Sequence, residues 1–146
     1  MLRKARTALS AVALATGLVL GSAVAPAQAV EAKPEVHPEW GRTAAKNGVL
    51  KFGCKNYRYT YAITPPEGEW GLETFLVGPG GERLASGAIV IGMDPLVGKD
   101  RFRFCKPSTR PGIFKIRALL TVQDEQGEHR RSGWLPVTKF RLRAAR

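Results

Sequence analysis

Apolar and polar side chains alternate with a period of two along most of residues 49–143, most plainly over residues 111–122. There Phe114, Ile116, Ala118, Leu120 and Val122 are apolar, and Lys115, Arg117 and Thr121 stand between them. That is the signature of a β-strand with one face buried and one face wet. The same pattern recurs where Tyr57, Tyr59, Tyr61 and Ile63 face away from Asn56, Arg58, Thr60 and Thr64, and where Phe102 and Phe104 alternate with Arg101 and Arg103. Near the end, Phe140 and Leu142 turn inward against Lys139, Arg141 and Arg143. Further strands are predicted over residues 70–77, 83–91 and 129–134, punctuated by turns at 65–69, 78–81 and 124–128. Ala88, Ile89, Val90 and Ile91 are apolar on both faces, which predicts a central strand. No helical periodicity follows residue 49. The pattern therefore predicts an all-β fold, an antiparallel β-sandwich of seven to eight strands, with a small closed barrel as the competing arrangement.

The three tyrosines of residues 57–61 read as core, with phenol groups reaching polar partners at the rim, because the opposite face of that strand is too polar to be buried. An aromatic platform for sugars or bases is the other use of such a row.

Ahead of this pattern, Arg3, Lys4 and Arg6 precede an apolar run that ends at Ala27, Gln28 and Ala29. A basic start, an apolar stretch and a small-x-small site predict a signal peptide over residues 1–29, with cleavage before Val30. The product is expected to be secreted, extracellular or associated with a cell wall, with no transmembrane segment. Residues 30–48 are rich in Pro, Glu, Ala and Lys and lack sustained alternation, so a disordered N-terminal arm is expected, with Trp40 as a clip on the domain edge. The remainder, residues 49–146, suffices for one domain with one core, expected to be a monomer.

Composition adds a redox argument. Cys54 and Cys105 are the only cysteines, and in an oxidising compartment they are expected to form a disulfide. Strand parity puts Cys105 on the arginine side, hence the disulfide toward an end or outer edge. Neither cysteine has a second Cys or a His at ligand spacing, and the chain has only His37 and His129, so no metal and no cofactor are expected.

Pro111, Gly112, Phe114 and Ala118 resemble the Pro-Gly-x-aromatic opening of a late strand in the small immunoglobulin-like or fibronectin-like domains that many bacteria export. Trp70 follows Cys54 at about the spacing of their packed central Trp. The resemblance covers residues 49–143 at the level of spacing and implies an immunoglobulin-like β-sandwich. Position 103, two before the second cysteine, is Arg where a corner Tyr is usual, so the resemblance does not imply a disulfide through the core. It implies no active site, because such domains carry unrelated functions.

Charge supplies the functional signal. The whole chain has a net charge of +11. Residues 30–94 hold seven basic and eight acidic residues, whereas residues 95–146 hold thirteen basic and four acidic. Arg101, Arg103, Lys115, Arg117, Lys139, Arg141 and Arg143 all fall at outward positions. If their three strands share one sheet, they form a cationic ridge for an anionic wall polymer or polysaccharide; nucleic acid is not expected as a physiological partner of an exported protein. A solvated face that keeps sheet edges from pairing is the plainer use of the same charges. The chain carries no nucleophile elbow, no His-Glu-x-x-His and no Gly-rich loop leading into a helix, and Glu67 and Glu69 sit in a Pro/Gly turn, so it is not expected to be an enzyme. The alternative is a protein-binding module such as an inhibitor of a secreted protease, with residues 106–111 as a loop stiffened by Pro107 and Pro111 beside Cys105.

Overall fold

The computed structural model describes residues 34–127 and 129–146; the predicted signal segment and its cleavage site lie outside them. Nine strands follow a short 3-10 turn at Pro38–Trp40: β1 (Gly41–Ala45), β2 (Gly48–Leu50), β3 (Cys54–Ile63), β4 (Glu69–Val77), β5 (Arg83–Val90), β6 (Val97–Cys105), β7 (Gly112–Gln123), β8 (Arg130–Trp134) and β9 (Thr138–Ala144). They form two sheets packed face to face, an all-β sandwich. The small sheet has the order β1-β3-β6. The large one has the order β2-β9-β7-β4-β5, with β8 also paired to β7.

Strand β7 is the longest, and its length explains how it serves two partners on one side. Residues 112–116 pair with β9, residues 119–123 pair with β8, and β4 covers the other side. Phe114, Ile116 and Leu120 are fully buried, as the alternation predicts. Each such side chain contributes roughly 1.5–3 kcal/mol through its removal from water. Facing them across the core are Tyr59, Tyr61, Ile63, Phe102 and Phe104 of the small sheet. The row of tyrosines is thus core. The Tyr59 hydroxyl donates to Asp100 Oδ2 at 3.0 Å and lies 2.9 Å from Thr74 Oγ1, tying β3 to β4 of the opposite layer. Burial pushes the Tyr59 phenol well above its usual range.

Three expectations are corrected. Most of the predicted arm is ordered, since residues 38–48 supply the 3-10 turn, β1 and the start of β2. The inward positions of β1 are Gly41, Thr43 and Ala45, small residues that give no apolar alternation to read, and Thr43 is held by its hydroxyl 2.7 Å from Thr138 Oγ1. Trp40 does clip onto the domain: it stacks on His37 at 4.0 Å, and both lie over Gly133, where a Cβ would strike the two rings. Strand β5 is an edge and not central, because of its inward side only Ile89 is fully buried, and its free side runs beside β6 of the other sheet. Finally, pairing is not wholly antiparallel, since β2 crosses from the small sheet's side to run parallel with β9.

The disulfide Cys54–Cys105 forms between directly opposed residues at one end of β3 and β6. It lies on the outer side of the small sheet, on the parity that the arginines share.

Candidate polyanion-binding surface

Residues directly opposite across paired strands share a face, so register decides which basic side chains stand together. On the outer face of the large sheet, Lys115 is opposite Lys139, Ile113 is opposite Arg141, and Val49 is opposite Arg143. One step along β7, Arg117 is opposite Phe75 of β4. All five of these basic residues are exposed. Arg117 is also anchored, with its guanidinium carbon 4.1 Å from the centre of the Trp134 ring. Phe75 lies 6.2 Å from that ring, and Arg83 lies 4.9 Å over Phe75. Aromatic faces hold these two cations by their quadrupoles while the charged heads stay in solvent.

The structure does not unite the seven predicted residues. Lys115, Arg117, Lys139, Arg141 and Arg143 share the large sheet, but Arg101 and Arg103 sit on β6 of the small sheet and face the opposite way. The reason is topological: β6 pairs with β3 in the small sheet, whereas β7 and β9 pair with each other in the large one. What Arg101 and Arg103 join is a second basic face. Arg101 is opposite Arg58, Arg103 is opposite Asn56, Lys99 is opposite Thr60, and Arg42 on β1 is opposite Ala62. Arg42, Arg58 and Arg83 all come from the half of the chain whose net charge is slightly negative, so a count by halves conceals them. Parity along residues 54–63 would have found Arg58.

Among the described residues no carboxylate stands on the outer face of the small sheet. Asp100, the one acid on the small sheet, points inward, with Oδ2 on the Tyr59 hydroxyl and Oδ1 accepting from the Arg101 backbone N–H at 2.7 Å. On the large sheet, Glu69 and Glu73 share the outer face of β4, with Glu73 opposite Leu119 and so diagonal to Arg117. Among the described residues no lysine or arginine lies within ion-pairing distance of a carboxylate; the Glu39 and Asp124 carboxylates instead hydrogen-bond the imidazoles of His37 and His129, at 2.7 and 2.8 Å. Hydrogen bonds from its own backbone and from His37 hold the Glu39 carboxyl below its ordinary value.

The loop over residues 106–111 is pinned at several points. The Lys106 ammonium lies 3.4 Å from the centre of the Phe52 ring, Ser108 Oγ donates to the Cys105 carbonyl, and Thr109 Oγ1 donates to Glu82 Oε1 at 2.5 Å. The Thr109 hydrogen bond is the main reason the Glu82 carboxyl lies below its usual range. A 3-10 turn coils Lys106–Ser108, and the chain is extended again at Thr109.

Among the described residues no three His, Cys, Asp or Glu side chains gather as a metal site would need. A groove of about 570 Å³ opens where β1 ends and the chain crosses to β2. Comparison with family models and with curated proteins finds no match to this chain.

Proposed function

We propose that this chain is an exported, non-catalytic immunoglobulin-like domain that holds an anionic cell-surface polymer, a polysaccharide or wall polymer, through the outer face of its large sheet. The observation that carries the reading is the direct opposition of Lys115 and Lys139, flanked by Arg117, Arg141 and Arg143, with no carboxylate paired to any of them among the described residues. An opposite-charge pair at such a position contributes roughly 0.2–1 kcal/mol, whereas like charges destabilise. Folding alone gives no reason to gather them. A polyanion lying along the face reverses the sign of that term and releases its own counterions.

The immunoglobulin-like part rests on the path of the chain, in which β1, β3 and β6 make one layer and β4, β5, β7 and β9 the other. The chain changes layer between β3 and β4, β5 and β6, and β6 and β7, the Greek-key habit of such sandwiches. Export is supported by the basic and apolar start of the sequence, and the bulk of such polymers lies outside the cell. The test is retention on an anionic polysaccharide at about 50 and 200 mM salt, a range over which charge-driven binding falls steeply. Retention that drops with salt, and drops further in a Lys115→Glu, Arg141→Glu double variant, is the expected result. Salt-independent retention, or retention unaltered by the double variant, overturns the proposal.

A further inference from the structure

The groove at the β1–β2 crossing is built for more than charge. Strand β1 leaves the small sheet after Ala45, opposite Tyr59, so residues 54–58 of β3 continue without a β1 partner. The chain meanwhile moves to the other sheet as β2, opening the sandwich on that side. Phe140 and Leu142 form an apolar floor, and Lys46, Lys51, Arg58 and Lys99 stand around it. No carboxylate lines the groove, and none of these four cations is ion-paired among the described residues.

Its polar groups are poised for a ligand. The Tyr57 hydroxyl accepts the Lys51 backbone N–H at 2.9 Å, which leaves its own proton to be donated elsewhere. Its ring is fixed by stacking on Phe104 at 4.4 Å. Asn56, also in the lining, uses neither side of its amide within the described residues, so it offers a donor and an acceptor. An apolar floor, a phenol, an amide and a ring of cations suit a molecule with a ring face, hydroxyl groups and negative charge. The volume is in the ordinary range of small-ligand sites.

We infer that this groove is a binding subsite for one or two units of an acidic sugar or polyol, carrying carboxylate or phosphate, with Lys46, Lys51, Arg58 and Lys99 taking the charge and Tyr57 and Asn56 the hydroxyls. The inference deepens the polymer-binding proposal and rests on it for the source of the ligand. Val49 connects the two, since it lines the groove and lies opposite Arg143 on the basic face. A chain running along β9 can turn over the β2 edge and seat a unit there.

The test is an amide-resolved NMR titration of the full domain with three probes: a uronic-acid trisaccharide, a glycerol-phosphate trimer and a neutral trisaccharide. Saturable shifts confined to residues 44–51, 56–60, 99, 140 and 142 are expected with one or both acidic probes, the stronger of which identifies the anion, and affinity for the neutral sugar at least tenfold weaker. Tyr57→Phe, which keeps the ring, is expected to lower affinity about tenfold, and Lys46→Ala with Lys99→Ala to lower it by more, with the remaining spectrum unchanged. Shifts spread evenly over both basic faces without saturation, or equal binding of the neutral sugar, overturn the inference. Lys115→Glu with Arg141→Glu is expected to spare trisaccharide binding while abolishing polymer retention. Trisaccharide binding by a wild-type protein that retains no polymer supports the groove and refutes the larger reading.

Discussion

The salt dependence of polyanion binding can be worked from the register of β7 and β9. Five exposed cations of β7 and β9 lie together on the outer face of the large sheet: Lys115, Arg117, Lys139, Arg141 and Arg143. Against a flexible single-stranded polyphosphate, each contacting cation adds about −0.7 to the slope of log K against log salt, so five give about −3.5. A fourfold rise in salt then weakens binding by roughly 10², and removing two contacts reduces the slope to about −2.1 and the loss to roughly 20-fold. The perturbation is Lys115→Ala with Arg141→Ala, which leaves Arg117 on its Trp134 platform and removes no buried group. The assay is fluorescence anisotropy of a labelled oligo-dT, used as a polyphosphate of known counterion behaviour and not as a physiological partner. The comparison is Arg101→Ala with Arg103→Ala, on the opposite side of the sandwich, for which the slope is expected to stay near the wild-type value. A slope unchanged in the large-sheet variant, or reduced equally by both pairs, would refute the assignment of this face.

Other expectations concern stability. Lys139→Glu replaces a like-charge opposition with an ion pair to Lys115, so thermal denaturation is expected to show a gain of roughly 0.2–1 kcal/mol while polymer retention falls; loss of stability would show that the opposed lysines are not a strain on the fold. Thr74→Val removes the hydroxyl between Tyr59 and the Gly87 carbonyl, and urea unfolding is expected to report a loss of about 1–3 kcal/mol, with no effect if that contact is idle. Replacing both Cys54 and Cys105 by serine is expected to cost about 4 kcal/mol on the chain-entropy account of a loop of 51 residues. Because the folded carboxyl of Glu82 sits below its ordinary value, its contribution is present above the unfolded pKa and is lost as pH falls through the folded one. Thr109→Val is therefore expected to lower stability near neutral pH, with the difference from wild type vanishing in acid.

The sandwich was legible because Phe114, Ile116, Leu120, Phe102, Phe104 and Phe140 are large apolar residues at strict period two, and a slip by one residue would expose all of them. Strand β1 was not, since its inward Gly41, Thr43 and Ala45 fill a shallow part of the core and are fixed by a hydroxyl contact and not by bulk. The edge position of β5 was hidden too: apolarity on both faces signals cover on both sides, whereas Ala88 and Ile91 are exposed and only Ile89 is fully buried. For the candidate surface, alternation identified outward charges correctly, because each has at least one buried neighbour in its strand and Arg103, Lys115, Arg117 and Arg141 have two. Sheet membership is a long-range property, and nothing local to Arg101 or Arg103 distinguishes pairing with β3 from pairing with β7. The groove was beyond local pattern altogether, since it exists only where β1 stops and β2 begins on another sheet.

Lysine footprinting by acylation, read by mass spectrometry with and without an anionic polysaccharide, tests most directly where the polyanion lies. Lys115 and Lys139 are predicted to be protected at low salt and to regain reactivity as salt rises, while Lys55 and Lys106, at the disulfide end, react equally throughout. Equal labelling of Lys115 and Lys139 in the presence and absence of polymer would contradict the account.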